Sequence, residues 1–265
     1  MANVLVEETS LSNIASAIRE KNGGSATYKP GEMAAAISNL PTGGSSDNED
    51  GLLSDTLINY ENGTATDIKN NCFANSTTLA TATFTNVSNV GSSAFSNCSA
   101  LTQINLPNAT TIGNSCFSNA SKLLTVNLSN AESLGEYVFN RCKTITSINL
   151  PQVKALKFWA FYECEKLAKV DLGSCNQFID GWQFYGCGQL TALILRSNTV
   201  CSAPYSVIDS HNGALYNTRF SNHNKGWGYV YVPRALVNSY KSATNWAVIE
   251  ECIRAIEDYP DITGG

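Results

Sequence analysis

The chain carries the stretch VGSSAFSNCSALTQINLP at residues 90–107 and a related stretch, IGNSCFSNASKLLTVNLS, at residues 112–129. A phenylalanine stands at the sixth position of both stretches, and it recurs along the chain at almost constant spacing. The recurring residues are Phe73, Phe95, Phe117, Phe139, Phe161 and Phe184, which lie 22, 22, 22, 22 and 23 residues apart. A fixed period of this length predicts a solenoid, in which each repeat forms one coil.

Three further apolar columns keep the same period. Six residues after each phenylalanine stand Leu79, Leu101, Leu123, Ile145, Leu167 and Leu190. Eleven residues after it stand Phe84, Leu106, Leu128, Leu150, Leu172 and Leu195, and five residues before it stand Ile68, Val90, Ile112, Leu134, Leu156 and Ile179. Aligned apolar columns predict that successive coils stack and bury one continuous core.

Each coil contains one predicted β-strand. Side chains alternate between the two faces of a strand, so Ile104 and Leu106 share the core face while Asn105 points the other way. Pro107 ends this strand because proline has no N–H for the next ladder bond. Stacked coils therefore predict a parallel β-sheet on one face of the solenoid and irregular or short helical segments on the convex side.

The chain divides into four predicted segments. Residues 1–40 form a small helical unit, and residues 41–51 (PTGGSSDNEDG) form a turn-rich acidic linker without apolar residues. Residues 52–196 form the solenoid. Residues 197–265 form an α/β C-terminal cap, with a strand at Tyr229–Val232, a helix that begins at Pro233 and a second helix over Trp246–Ile256. Such a cap is expected because an open solenoid end exposes core and unpaired strand edges.

Nine cysteines occur, an odd number that cannot pair completely. Four of them, Cys98, Cys142, Cys164 and Cys187, stand three residues after a repeat phenylalanine, where Ser76 and Ala120 fill the same position in other coils. Small residues in one column predict tight packing. Strands about 4.8 Å apart hold Cβ atoms wider than the ~3.5–4.5 Å that a disulfide prefers, so reduced, buried thiols are predicted. No C-x-x-C pair and only two histidines are present, so no metal site or cofactor is predicted.

The composition disfavours two classes of partner. The 265-residue chain has a net charge of −5 and no run of Lys or Arg, whereas a nucleic-acid-binding surface needs a basic face. No stretch approaches about 18 consecutive apolar residues, so membrane insertion is not predicted. Residues 1–20 have neither a basic start nor an apolar run, and we expect no signal peptide.

The repeat unit I-G-x-x-A-F-x-x-C-x-x-L-x-x-I-x-L-P, seen at Val90–Pro107, closely resembles the BspA-like bacterial leucine-rich repeats. The resemblance implies a curved, right-handed leucine-rich-repeat solenoid with a parallel sheet on one side. It also implies the adhesion and surface-recognition roles common in that family.

Two shorter segments resemble proteins encoded by phages and prophages. Residues 11–33 (LSNIASAIREK with YKPGEM) are similar to N-terminal segments of phage tail-region proteins. Residues 230–246 (VYVP with YKSATNW) resemble the C-terminal ends of prophage-encoded repeat proteins. The resemblance implies a non-enzymatic recognition module of a phage tail or baseplate, located in the virion. Its partners would be a host cell-surface glycan or protein and, through the N-terminal segment, other virion tail proteins. The alternative is a bacterial cell-surface or secreted adhesin.

Two surface columns are candidate ligand-binding sites. The polar column consists of Asn105, Asn127, Asn149 and Asp171, whose amides and carboxylate suit a glycan or an extended peptide. The aromatic column consists of Tyr137, Trp159 and Trp182, two residues before a repeat phenylalanine, and of Tyr162 and Tyr185, one residue after it. Their flat rings suit sugars or proteins. The alternatives are a solvated strand face whose asparagines bond to each other, and rings that pack on the convex side or against the cap.

No catalytic motif accompanies these columns. The sequence lacks a nucleophile elbow, a P-loop, a dinucleotide-binding glycine pattern and a zinc-protease motif. Asp209, Ser210 and His211 are merely consecutive, and Glu163 and Glu165 are interpreted as solvated carboxylates rather than an acid/base pair. We therefore predict no enzyme activity. A glycan-cleaving enzyme is the remaining alternative and would need carboxylates facing a groove.

Overall fold

The structure is a computed structural model that describes residues 59–220 and 228–264. The predicted helical unit 1–40 and linker 41–51 lie outside the described residues.

Strands β1 to β15, numbered in chain order, form three parallel sheets. The first sheet contains β1 (Asn59–Asn62), β3 (Thr81–Phe84), β5 (Gln103–Asn105) and β7 (Thr125–Asn127). The second contains β2 (Asp67–Ile68), β4 (Asn89–Val90), β6 (Thr111–Ile112), β8 (Ser133–Leu134), β10 (Ala155–Leu156) and β12 (Gln177–Phe178). The third contains β9 (Ser147–Leu150), β11 (Lys169–Leu172), β13 (Ala192–Leu195), β14 (Tyr229–Val232) and β15 (Ile253–Ala255).

The strand register follows the sequence period. Asn105 of β5 pairs with Asn127 of β7, the equivalent residue of the next repeat. Lys169 of β11 pairs with Ala192 of β13, because one extra residue lies between these two repeats. The predicted leucine-rich-repeat solenoid with a parallel sheet is therefore confirmed. Each coil contains two strands rather than the one predicted, because the apolar column of Val90 and Ile112 forms the second sheet.

The repeat phenylalanines form a single spine through the core. Each is at most 2% exposed. Neighbouring rings are nearly parallel, with centroids 5.1 Å apart for Phe73 and Phe95 and 5.6 Å apart for Phe95 and Phe117. The same stacking continues through Phe139, Phe161 and Phe184. The stacked rings link every repeat to its neighbour through apolar contact.

The cysteine column lies beside this spine and is buried, as the sequence predicts. The Sγ of Cys98 donates to the carbonyl of Phe73 at 2.9 Å, and the Sγ of Cys142 donates to that of Phe117 at 3.1 Å. Cys164 and Cys187 repeat the contact with Phe139 and Phe161. No disulfide links any of the nine cysteines, all of which lie within the described residues. Burial raises the pKa of the Cys98 thiol to about 12.

Beyond Arg196 the chain continues the third sheet instead of only covering its end. The predicted strand Tyr229–Val232 is confirmed as β14. After Pro233 come a 3₁₀ helix, Arg234–Leu236, and helix α1, Val237–Ser242. The predicted helix over Trp246–Ile256 is wrong, because a 3₁₀ helix covers only Ala247–Cys252. The helix ends there, and Ile253–Ala255 form strand β15, which pairs with β14.

The last described residues fold back over the outer face of the third sheet, opposite the solenoid core. A 3₁₀ helix, Ile256–Asp258, and helix α2, Pro260–Thr263, follow β15. Ile256 and Tyr259 pack against Ala192, Ile194 and Tyr231, so β13 is buried on both faces. No helix in the ranges 59–220 and 228–264 is long and apolar enough to cross a membrane.

Candidate functional site

In each coil, the residue two positions before the repeat phenylalanine has a left-handed backbone conformation. This position is held by Asn71, Ser93, Ser115, Tyr137, Trp159 and Trp182, all with φ between +55° and +58°. Asparagine tolerates this conformation well, whereas bulky residues rarely adopt it. The later coils therefore place large rings at backbone positions that disfavour them.

These rings join their neighbours in a continuous cluster. We define the aromatic patch as Tyr137, Phe158, Trp159, Tyr162, Trp182 and Tyr185. Trp159 lies at the centre of the patch. The centroid of its ring is 4.2 Å from that of Tyr162, 5.2 Å from that of Tyr137 and 5.8 Å from that of Trp182. Tyr162 and Tyr185 stack in parallel, 5.1 Å apart and inclined by 7°. All six residues are partly exposed.

The structure thus brings together the five aromatic residues named from the sequence. Two further rings contact these residues. The ring centroid of Phe158 is 5.0 Å from that of Trp159, and the ring centroid of Tyr216 is 6.0 Å from that of Tyr185. Phe158 stands three residues before Phe161, where other coils carry Asn70, Ser92, Asn114, Glu136 or Gly181. A search for aromatic residues in otherwise polar columns would have found it. Tyr216 lies outside the repeat, so no column points to it.

Several polar atoms within or beside the patch lack partners. The Nε1 atoms of Trp159 and Trp182 and the Oδ1 atom of Asn140 are shielded from solvent, and none has a hydrogen-bond partner within the described residues. The Nδ2 of Asn140 does donate to Ser118 Oγ at 3.1 Å. A buried donor or acceptor without a partner costs about 1–3 kcal/mol, so three such atoms in one region require an explanation.

An ion pair borders the patch beside Tyr162. Arg141 Nε donates to Glu163 Oε2 at 2.9 Å, and both side chains remain partly exposed. Burial and a hydrogen bond to Glu163 raise the pKa of Tyr162. In earlier coils the same column holds asparagines that bond to each other, Asn97 to Asn75 at 2.9 Å and Asn119 to Asn97 at 3.0 Å. The side chains on this surface therefore change from amides in the earlier coils to charged and aromatic groups in the later coils.

The polar column on the strands is partly occupied by internal contacts. Asn127 Nδ2 donates to Asn105 Oδ1 at 2.7 Å, whereas Asn149 remains exposed. Asp171 is only 8% exposed, because Arg196 binds both of its carboxylate oxygens at 2.8 Å. Arg196 also donates to the backbone carbonyl of Thr263, which lies in helix α2. The C-terminal residues thus close the column at Asp171, and this carboxylate is not a free ligand-binding group.

The carboxylates considered for catalysis are engaged separately. Glu163 pairs with Arg141, while Glu165 pairs with Lys143 at 2.7 Å. Asp209 accepts the backbone N–H groups of His211 at 2.8 Å and of Asn212 at 3.1 Å, and these two bonds lower the pKa of Asp209. No cluster of three potential metal-binding side chains occurs in the part of the chain that the structure describes.

Comparison with known proteins identifies the repeat. The model of the BspA type leucine rich repeat region matches in six copies, over residues 56–155 and 110–225. The chain therefore belongs to the BspA type leucine-rich repeat family. No curated protein matches it.

Three solved structures are similar over part of the chain. A leucine-rich repeat protein from Bacteroides ovatus is 23% identical, with a TM-score of 0.46, over 52% of this chain and 37% of its own length. The leucine-rich repeat protein of T. pallidum is 19% identical, with a TM-score of 0.40, over 51% and 78%. A leucine-rich cell surface protein from Faecalibacterium prausnitzii is 16% identical, with a TM-score of 0.26, over 76% and 79%. The chain thus spans just over a third of the length of the first of these proteins.

Proposed function

We propose that this chain is a non-enzymatic recognition module of a phage tail or baseplate that binds a host cell surface through the aromatic patch. One observation carries the proposal. Large, partly exposed rings occupy left-handed backbone positions in the later coils, and two of them bury an indole N–H without a partner. Groups that disfavour folding in this way are concentrated at functional sites.

The repeat supplies an internal comparison for this argument. At the position of Trp159 and Trp182, the earlier coils use Ser93 and Ser115 and keep the same backbone conformation. The spine of stacked phenylalanines also runs unchanged through both sets of coils. Folding of a coil therefore does not require a ring at this position, which supports a role in binding.

The phage assignment rests on the resemblance of two segments. Residues 230–246 resemble the ends of prophage-encoded repeat proteins, and they contribute β14 and α1. Residues 11–33 resemble N-terminal segments of tail-region proteins. On this proposal the N-terminal segment attaches the chain to other tail proteins in the virion and leaves the solenoid to contact the host. A bacterial surface adhesin is the second candidate, favoured by the family to which the repeat belongs.

Flow cytometry with fluorescently labelled protein tests the function. We expect binding to some members of a panel of Gram-positive and Gram-negative bacteria. The variant Trp159→Ser, which introduces the residue of the earlier coils, should weaken binding at least about tenfold, equivalent to about 1.4 kcal/mol. Tyr205→Ala, a change of an exposed tyrosine outside the patch, should leave it unchanged. The same assay is run on animal epithelial cells. Binding to these cells alone would favour the adhesin, and binding to neither bacteria nor epithelial cells would refute both candidate functions.

A further inference from the structure

The aromatic patch contains a rigid stack of two tyrosine rings, which we call the platform. Tyr162 and Tyr185 occupy one column, one residue after a repeat phenylalanine, where Ser96, Ser118 and Asn140 stand in earlier coils. Their rings are parallel within 7° and their centroids are 5.1 Å apart, so a ring from one coil stacks with an offset on a ring from the next coil. Stacking on Trp159 holds the Tyr162 ring in place. A platform fixed in this way loses little conformational freedom when it binds a ligand.

The polar atoms around the platform require both a donor and an acceptor. The indole N–H groups of Trp159 and Trp182 need acceptors, while Asn140 Oδ1, in the same column as Tyr162, needs a donor. A hydroxyl group supplies either function by rotating its hydrogen. The neighbouring Arg141–Glu163 pair adds a planar donor and a planar acceptor at the surface. This set of groups matches a ligand that carries several hydroxyls.

The most exposed large hydrophobic side chains of the described residues lie outside the patch. In the described ranges, the large hydrophobic side chains with the greatest exposure are Leu124, Tyr205, Val248 and Ile262, and none belongs to the patch. The core of a typical protein–protein interface is largely apolar and depleted in charge. Here partly exposed rings border directly on an ion pair and an amide. The composition therefore favours a ligand with both an apolar ring face and hydroxyls over an apolar protein surface.

We infer that the aromatic patch binds carbohydrate, with the C–H face of a sugar ring against the exposed parts of the Tyr162–Tyr185 platform and its hydroxyls toward Asn140 and the Arg141–Glu163 pair. This inference rests on the proposed recognition function and specifies the chemistry of its ligand.

The test treats bacterial cells that bind the protein with either sodium periodate, which cleaves vicinal diols, or proteinase K. Periodate should reduce binding at least about tenfold, while proteinase K should leave it unchanged. Loss of binding after proteinase K but not after periodate would overturn the carbohydrate assignment and keep the recognition function. Absence of binding to untreated cells would instead refute the proposed function itself.

Variants then locate the site on the protein. Tyr162→Ser and Tyr185→Ser introduce the residue that the repeat already has at Ser96 and Ser118, so the coil should still fold, which circular dichroism checks. Each should reduce periodate-sensitive binding at least about tenfold, whereas Tyr162→Phe, which keeps the ring, should retain most of it. Tyr205→Ala serves as the matched control. A folded Tyr185→Ser variant that binds as strongly as the unchanged protein would overturn the assignment to this patch.

Discussion

Phe117 shows how a single residue links three coils. Its ring stacks on Phe95 at 5.6 Å and on Phe139 at 5.3 Å, and its side chain is fully buried. Removing it would leave a cavity between two rings that are held by their own coils and cannot both close the gap. The spine therefore depends on each of its members.

We predict that Phe117→Ala lowers the free energy of unfolding by about 3–5 kcal/mol. Urea denaturation followed by circular dichroism measures this change. Leu124→Ala is the control, since Leu124 is 55% exposed and its truncation should cost less than about 0.5 kcal/mol. Equal effects of the two substitutions would contradict the stacked spine.

The buried thiols predict alkaline sensitivity. Burial raises the pKa of Cys98 from an ordinary value of 9.0 to about 12, so the folded state favours the protonated thiol. Below pH 9 the Cys98 thiol is protonated in both the folded and the unfolded state and does not reduce stability. As the pH rises from about 9 toward 12, the free energy of unfolding falls, because only the unfolded state releases the proton easily. The urea midpoint should therefore fall between pH 8 and pH 11. Cys98→Ala, a residue found in this column at Ala120, should reduce that slope, and an unchanged slope would count against the mechanism.

Most residue columns were predictable because burial repeats with the period of the sequence. The exception is Ile179, since Phe178 pairs with Leu156 and fills the core position instead. The spine at Phe95 and Phe117 and the buried thiol of Cys98 follow directly from spacing and residue type. The left-handed backbone at Tyr137 or Trp159 was not predictable, since the residue itself disfavours that conformation and the stacked neighbours impose it. The contact of Phe158 with Trp159 was likewise hidden, because ring orientation depends on the packed coil.

A glycine is required in a turn between strands where the backbones of neighbouring coils approach closely. A Cβ atom added to Gly113 would lie 2.5 Å from the backbone nitrogen of Ser92 in the preceding coil. Backbone cannot move away without separating the coils. Gly188 has open space around its Cα atom, so the same methyl group would meet nothing there. These two glycines therefore differ in function although they look alike in the sequence.

Gly113→Ala should destabilise the protein by about 1–3 kcal/mol through overpacking, whereas Gly188→Ala should be nearly neutral. Thermal unfolding of both variants under one set of conditions gives the comparison. A Gly113→Ala variant as stable as the Gly188→Ala variant would mean that neighbouring coils are further apart here than the structure has them.

The C-terminal segment is fastened to the sheet by Arg196. This side chain binds both oxygens of Asp171 and the backbone carbonyl of Thr263, and the bond to Asp171 raises the pKa of Arg196. The pair is largely shielded from solvent, with 32% of the Arg196 side chain and 12% of the Asp171 side chain exposed. Hydrogen bonds between ions in such a setting contribute more than those of surface pairs.

Arg196→Ala should cost about 1.5–3 kcal/mol of stability and increase cleavage after Arg254, the last trypsin site of the chain. Limited trypsin digestion with mass spectrometry detects the released segment. Arg234→Ala, which breaks the exposed pair with Asp258, should cost no more than about 1 kcal/mol. If both variants resist trypsin equally, Arg196 does not hold the segment.

The C-terminal elements were only partly predictable. The alternation of Tyr229–Val232 correctly predicts a strand, but Trp246, Ile249, Ile253 and Ile256 fit a helical spacing that the chain does not adopt over its full length. Ile253 and Ala255 are both buried, at the two-residue period of β15, and eleven residues are too few to separate the two patterns. The return of the chain over Ile194 and Asp171 depends on tertiary contacts that leave no periodic signal.

Across the whole molecule, stacking in constant register turns residues 22 or 23 positions apart into surface neighbours. Tyr137, Trp159 and Trp182 become one patch only because their coils lie directly on one another. The proposed recognition function and its carbohydrate ligand both depend on this arrangement. A solenoid that lost its register would separate the rings and the polar groups that border them.

Hydrogen exchange measured residue by residue tests this stacking most directly. The backbone N–H of Phe95 donates to the carbonyl of Cys116 at 2.9 Å, and that of Phe117 donates to Val138 at 2.9 Å, each one coil further on. The amides of Phe73, Phe139, Phe161 and Phe184 make the same kind of bond. We predict that all six exchange far more slowly than amides of unstructured peptides, because exchange requires coils to separate. Exchange of these six amides at unprotected rates would contradict the stacked solenoid.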